Sequence, residues 1–443
     1  MGATGRAFHN FNMLFRHDER HEVVAFTAAQ IPGISCRLYP PQLAGPLYPE
    51  GILISPEADL AKLIKKYQAD EVVFSYSDIN YADVMHIASR VIANGADFRL
   101  LGSKGTLLKA HIPVVSVCAV RTGAGKSQTT RAICVMLREL GLRVAAIRHP
   151  ITYCDLVRQR AQRFATLADM EEAQCTIEER EEYEPLIDSG SAVFAGVDYA
   201  EILKLAEAEA DVIVWDGGSN EVPFIASNYH IVIADALRPG HEMQYYPGEA
   251  NVRMADVIII NKVDSAAEGA VEIIRENLTR LNSRALVLEA FSPIVLENEI
   301  SAKGKRTLVI EDGPTVTHGG MPFGAGIIAA RNAGAVLVDP RPFAVGSIRR
   351  AYEQYPHLGK MLPALGYSEE QVAELQETVN KVDCAIVISG TPIDITRVIK
   401  VEKPVLRARY ELQQVSGPKL KDLLDENIVP LALSCEGDAC KIK

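Results

Sequence analysis

The sequence predicts an α/β protein with a central parallel sheet, an N-terminal Rossmann-like unit and a C-terminal α/β region. Three observations carry that prediction. Apolar runs of strand length alternate with amphipathic segments along the chain. One run, Val114 to Val120, passes into a glycine-rich turn and then a helix-like segment reaching about Glu139. Further runs end in His149, Asp216, Asp235 and Asp264, as parallel strands do where their ends face a ligand crevice. The pattern divides the chain into 1–110, 111–300 and 301–443.

Bulk properties bound the function. A chain of 443 residues is long enough for two or three domains. Its net charge of −11 argues against the basic face that nucleic-acid binding rests on. An anionic ligand therefore needs a local positive pocket. The eight cysteines are scattered with no Cys-x-x-Cys pair, which reads as reduced, cytoplasmic usage. No apolar stretch approaches the roughly 18 residues of a membrane span, and no signal-peptide pattern opens the chain.

In the first unit, Glu22–Phe26, Glu71–Tyr76 and Phe98–Leu101 read as strands. Ser55–Tyr67 and Tyr81–Asn94 read as helices. Gly2-x-x-Gly5 matches the later half of a dinucleotide fingerprint, and Arg6 and His9 follow it on a helix-like stretch. A helix start carrying those two cations is a candidate holder of a phosphorylated ligand.

The second unit holds the main motif, Thr122-Gly123-Ala124-Gly125-Lys126-Ser127, with Gln128 following. A buried strand entering a glycine turn that opens a helix is a phosphate cradle. Backbone N–H groups and the positive helix end face the anion, and the lysine reaches the terminal phosphates. Ser127 is placed to ligate Mg2+. The full pattern wants glycine at Val120. The next strand, Arg143–Ile147, delivers Arg148 and His149 toward phosphate or substrate. Asp211–Trp215 delivers Asp216 and two glycines, and that aspartate is the candidate organiser of the metal shell. Trp215 reads as packing. Val157–Glu182 reads as helix, with the run from Glu178 to Glu182 as a solvated face.

His230–Asp235 leads into a donor-rich loop holding Arg238 and His241, candidates for substrate contact. Asn261-Lys262-Val263-Asp264 is a base-recognition pattern, with Asn261 on the purine and Asp264 accepting from guanine. Related ATP-using folds also place asparagine there. In the third unit, Thr307–Gly313 is a strand. His318-Gly319-Gly320 opens a helix near Ile327–Asn332, a candidate second anion site with His318 beside free backbone donors.

Motifs from all three units occur in order: Gly2-Ala3-Thr4-Gly5-Arg6 with Phe8-His9-Asn10-Phe11-Asn12, the Thr122–Ser127 loop, Trp215-Asp216-Gly217-Gly218-Ser219-Asn220, and Glu311-Asp312-Gly313-Pro314-Thr315. Together they resemble the cyclic 2,3-diphosphoglycerate synthetases over nearly the whole chain. The resemblance implies a SIMIBI-type P-loop NTPase core. It also implies a cytoplasmic ligase, a dimer, that uses ATP and Mg2+ to close a small phosphorylated acid into an internal pyrophosphate. Lys126, Asp216, Arg148 and His149 would be catalytic. Arg6, His9, Arg238, His241 and His318 would hold the substrate. Two other readings stand beside it: a GTP-dependent switch or metallochaperone, and an ATP-dependent carboxylate–amine ligase.

Overall fold

The computed structural model describes residues 1–29, 37–149, 155–218, 220–317, 319–366 and 368–434. The first unit opens with helix α1 (Gly5–Leu14), which buries Phe8 and Phe11 against Phe26 and Tyr39. Two small sheets follow. Phe26–Ala28 pairs with Ile52–Pro56, which also pairs with Arg37–Tyr39, while Glu71–Phe74 pairs in parallel with Asp97–Leu100. Gly2 bridges Thr27, and the Met1 amino group donates to the Val73 carbonyl at 2.5 Å. The start of the chain thus lies between the two sheets.

The core of the second unit runs β1 (Val114–Ala119), α2 (Lys126–Glu139), β2 (Val144–Arg148), α3 (Ile177–Asp188), β3 (Val212–Gly217), β4 (Tyr229–Asp235), β5 (Val257–Asn261) and β6 (Leu286–Phe291). These strands lie in a nine-stranded sheet ordered Gln413–Ser416, β6, β5, β4, β1, β3, β2, Ala192–Ala195, Gln162–Phe164. Only the two edge strands pair antiparallel. Every residue of β1 is buried because helices cover both faces. Val115 and Val117 pack with Ile133 and Leu137 of α2, while Val114 packs with Ile147, Trp215 and Phe224 on the other side. With β1 central between β4 and β3, the glycine turn after it opens at the carboxyl end of the sheet.

The C-terminal sheet is built around β7 (Arg306–Asp312), which pairs in parallel with Val336–Leu337, Met361–Ala364 and Ile386–Ser389. Helix α4 (Ala325–Asn332) packs on it. The chain then returns to the central sheet through Gln413–Ser416.

Two sequence expectations fail here. Val157–Glu182 is not one helix: Gln162–Phe164 is a strand, and Leu167–Glu172 and α3 are separate helices with capping boxes at Thr166 and Thr176. Nor is the acidic run a solvated face. Glu179, Glu181 and Glu184 of α3 are buried, because α3 is covered on more than one side. Val120 needs no glycine, because its side chain is buried with Val252 and Ile260 while its N–H donates to Ile233 at 2.9 Å. No helix among the described residues is long and apolar enough to cross a membrane.

Candidate functional site

One cavity of about 600 Å³ opens at the carboxyl ends of the central strands, and all three units line it. The glycine loop forms its floor. Gly125 sits at φ +110°, and a side chain there would overlap the Asn261 amide, so glycine is required twice over. Three successive loop carbonyls are pinned from outside. Arg238 Nη2 donates to Thr122 O at 2.7 Å, Lys262 Nζ donates to Gly123 O, and Asn261 Nδ2 donates to Ala124 O at 2.9 Å. Holding carbonyls outward turns the amide N–H groups into the cradle. The buried carboxylate of Asp235 holds both cations, with Arg238 Nε at 2.8 Å and Lys262 Nζ at 3.2 Å. Burial alone would raise Asp235, but Lys262 and Arg238 bring it below its usual value.

These contacts revise two roles. Asn261 braces the loop with a fully buried side chain, and Arg238 does the same. Asp264 is exposed at the end of β5 and accepts from Ser292 N at 3.1 Å. Gln128 accepts from Ser292 Oγ at 3.1 Å, and its buried Nε2 has no partner.

Lys126 leaves the loop at the start of α2. Its Nζ donates to the Asp216 carbonyl at 2.8 Å and to Asp216 Oδ1 at 2.5 Å. Burial and then Arg148 push its pKa well below the ordinary lysine value. The other Asp216 oxygen pairs with Arg148, whose guanidinium also pairs with Glu182. Burial lowers Arg148 to about 10, so it stays a cation. Ser127 lines the cavity. No group of three His, Cys, Asp or Glu side chains among the described residues is arranged to hold a metal. A hydroxyl plus phosphate oxygens still fits Mg2+, which retains most of its waters.

His149 is wedged between Gly5 and Gly218, where a Cβ on either glycine would overlap its ring. Its Nε2 pairs with Glu221 and its Nδ1 with the Tyr199 hydroxyl. Burial raises Glu221, but the imidazole and the Arg6 N–H bring it to a net lowered value. His149 N donates to Gly217 O at 3.3 Å, and Tyr183 OH donates to His149 O at 3.1 Å. Trp215 forms the wall behind, with ring centroids 5.7 Å apart. Gly218→Ala is therefore expected to displace His149. Turnover should fall about 100-fold, a usual size for a small displacement of a group that lines a reaction site. Nucleotide affinity should be nearly kept, which a kcat comparison with a binding titration checks.

The expected cationic pocket does not assemble from the candidates. The start of α1 faces no empty cradle, because Glu221 accepts from Arg6 N at 3.2 Å. The Arg6 guanidinium lies buried over Phe224, 5.3 Å from its centroid. His9 bonds Thr106 O at 2.6 Å and stacks on Phe224 at 4.2 Å. Burial drives its pKa to about 3, so it is neutral. Burial, with Arg121 and Arg238 nearby, lowers His241 to about 4, so it too carries no charge. Its loop instead clasps the first unit, where Tyr245–Tyr246 pairs with Ile79–Asn80, while Arg121 of the second unit lies 4.0 Å over the Tyr245 ring. His318 lies outside the described residues.

The second anion site is likewise filled from within. Glu311 accepts from Gly326 N at 3.2 Å and Ile327 N at 2.7 Å, capping α4. Burial pushes Glu311 up to about 7 against those two bonds. With a folded value above the unfolded 4.5, the folded chain binds the extra proton. Stability is therefore lost as pH rises from 4.5 to 7, by about 3 kcal/mol. Melting temperatures of the wild type and Glu311→Gln from pH 4.5 to 8 should converge in acid and diverge above, with the variant relatively more stable.

Sequence reasoning missed Glu221, Tyr199, Asp78 and Glu182. Asp78 accepts from Arg121 Nε at 3.1 Å and Thr122 N at 3.2 Å, tying the first unit to the loop. Glu221 stands directly after the quoted Trp215–Asn220 motif, a positional signal that could have found it.

No family model matches the chain. It is 55% identical over 427 residues to the arginine synthetase ArcE of Thermococcus kodakarensis, covering 96% of this chain and 95% of the relative. It is 28% identical over 114 residues to the cyclic 2,3-diphosphoglycerate synthetase of Thermococcus sibiricus, covering 25% of this chain and 26% of that one. Among solved structures, LpxK of Aquifex aeolicus in complex with ATP aligns over 84% of this chain and 99% of its own, with TM-score 0.47 and 12% identity. HypB of Archaeoglobus fulgidus aligns over 41% and 82%, with TM-score 0.28 and 17% identity. Neither likeness bears on chemistry.

Proposed function

The chain belongs to the arginine synthetase ArcE family, and from that premise we propose that it is an ATP-dependent ligase forming a carbon–nitrogen bond on an amino-acid side chain. The guanidinium of arginine differs from a ureido group by one nitrogen in place of oxygen. The shortest route to it phosphorylates the ureido oxygen, releasing ADP. A neutral amine nitrogen then attacks the carbon, phosphate leaves, and the surplus amine proton passes to a base.

The observation that carries this reading is the charge of the cavity. Arg148, Arg238 and Lys262 are paired with carboxylates, His9 and His241 are neutral, and the wall opposite the loop bears Glu178, Glu182, Glu311 and Asp312. Such a cavity suits a neutral acceptor and an amine better than a substrate carrying two phosphates. Lys126 and the loop N–H groups would hold the terminal phosphates, and Arg148 would face charge developing on the transferred group. Ser127 would carry Mg2+, which supplies charge neutralisation at the phosphates. His149, paired with Glu221, would accept the amine proton.

The test incubates the chain with ATP, citrulline and ammonium, and separately with ATP and 2,3-diphosphoglycerate. ADP release that requires both citrulline and an amine, with arginine seen by mass spectrometry, supports the ligase. The second reading, ring closure of 2,3-diphosphoglycerate, is favoured by the partial match to that synthetase. It predicts a cyclic product by phosphorus NMR and no amine requirement.

A further inference from the structure

Two side-chain amides meet against the glycine loop, each with one polar atom left over. Gln128, in the first turn of α2, is only 2% exposed yet lines the cavity. Its Oε1 accepts from Ser292 Oγ at 3.1 Å, and its Nε2 has no partner. Asn261, which ends β5, has no exposed surface. Its Nδ2 donates to the Ala124 carbonyl at 2.9 Å, which fixes the orientation of the amide and leaves Oδ1 without a partner. Both amides press on Gly125. A Cβ there would overlap the Asn261 nitrogen and lie 2.8 Å from Gln128 Nε2. A buried amide atom with no hydrogen bond is costly, so a donor and an acceptor left open beside each other mark a place built for a ligand.

Their position identifies the part of the ligand. The N–H groups of the loop and Lys126 face phosphates. Gln128 follows Ser127 directly, so it stands next to the cradle and not within it. Lys262 and Ser265 from the end of β5, and Ser292 and Ile294 from beyond β6, line the cavity on the same side. The Ile294 side chain and the lysine stem offer apolar surface to a flat ring. A purine joined to phosphates on the loop fits that arrangement.

The open atoms identify the purine. An acceptor beside a donor matches a 6-amino group beside N7, the edge that adenine presents, whereas guanine presents two acceptors there, O6 and N7. Guanine would set its O6 against Asn261 Oδ1 with no hydrogen between them. The aspartate of the Asn261-Lys262-Val263-Asp264 pattern does not restore a guanine site. Asp264 is exposed and is not among the residues lining the cavity, and it accepts from Ser292 N at 3.1 Å and Ser265 Oγ at 3.4 Å. We infer that Asn261 Oδ1 and Gln128 Nε2 form an adenine-reading pair, accepting from the 6-amino group and donating to N7, so that the chain selects adenine nucleotides despite a guanine-type sequence pattern. The inference rests on the glycine loop as the phosphate cradle and deepens that reading by assigning the base and the two atoms that select it.

The experiment titrates the full chain by calorimetry with ADP, inosine diphosphate, GDP and 7-deaza-ADP. It is repeated on Gln128→Ala and on Gln128→Met, which keeps the side-chain length. Wild type should bind ADP about tenfold tighter than inosine diphosphate and GDP, which lack the 6-amino group, and about tenfold tighter than 7-deaza-ADP, which lacks N7. Both variants should lose about tenfold for ADP yet change less than twofold for 7-deaza-ADP. Their preference for ADP over inosine diphosphate should persist through Asn261. The comparison of analogues on the wild type needs no substitution, so it stands even where a variant fails to fold. GDP or inosine diphosphate binding as tightly as ADP overturns the acceptor. Equal affinity for ADP and 7-deaza-ADP in the wild type, or equal weakening of all four ligands in the variants, overturns the part of Gln128. Citrulline- and amine-dependent phosphate release that runs as fast with GTP as with ATP overturns the adenine site but leaves the ligase reading standing. A wild type that binds none of the four nucleotides overturns the phosphate cradle and the base site together.

Discussion

Lys126→Ala is expected to lower ATP-dependent turnover about 1,000-fold, the usual scale for losing a charged donor aimed at the transferred group. The lysine is the first residue of α2, buried at the floor of the cavity. Its ammonium rests on Asp216, at 2.8 Å from the carbonyl and 2.5 Å from the carboxylate. A phosphate held on the loop N–H groups would offer the same donor another anionic acceptor. Stability should not fall with activity. Removing the lysine leaves Asp216 with Arg148 as its counter-ion, so the carboxylate stays paired. The check is a single-turnover rate beside a melting curve. Unchanged turnover would remove the loop from the chemistry, whereas lost turnover with a collapsed melting temperature would show only misfolding.

Asp216→Ala is expected to act in the opposite sense, chiefly on stability. The carboxylate has no exposed surface and answers two buried cations at once. Deleting it strands both, a class of change that costs about 3–5 kcal/mol. Combining it with Lys126→Met removes one of the stranded charges and should recover part of the loss. Thermal or denaturant unfolding of the single and double variants measures the difference. Equal stability of Asp216→Ala and the wild type would mean that water already screens the pair.

Much of this was legible in the residues. Strand, glycine turn and lysine at Val114–Ser127 are local, and a run of buried β-residues entering a helix can be read without its neighbours. Asp216 and His149 were legible as strand ends, because the order of parallel strands places such ends on one rim. The charge state of the rim was not legible. Arg6, His9, Arg238 and His241 look cationic in sequence, yet His9 and His241 are neutral through burial and Arg238 is matched by Asp235 three residues away. The Glu178–Glu182 run looks solvated because its pattern lacks apolar residues. The burial of its Glu179 and Glu181 comes from α3 packing against distant parts of the chain, as where Ile177 N donates to Gly366 O at 3.2 Å.

The local sequence thus determined where a nucleotide phosphate can sit, since a phosphate cradle is made by a few consecutive backbone N–H groups and one lysine. Only the tertiary structure decided what kind of second ligand can face it. That depends on which titratable groups meet across the cavity, such as His149 with Glu221, Arg148 with Glu182, and Glu181 with Asp312. Those meetings join residues tens to more than a hundred positions apart. Electrostatic pairing and desolvation act through space, so no reading along the chain could have summed them.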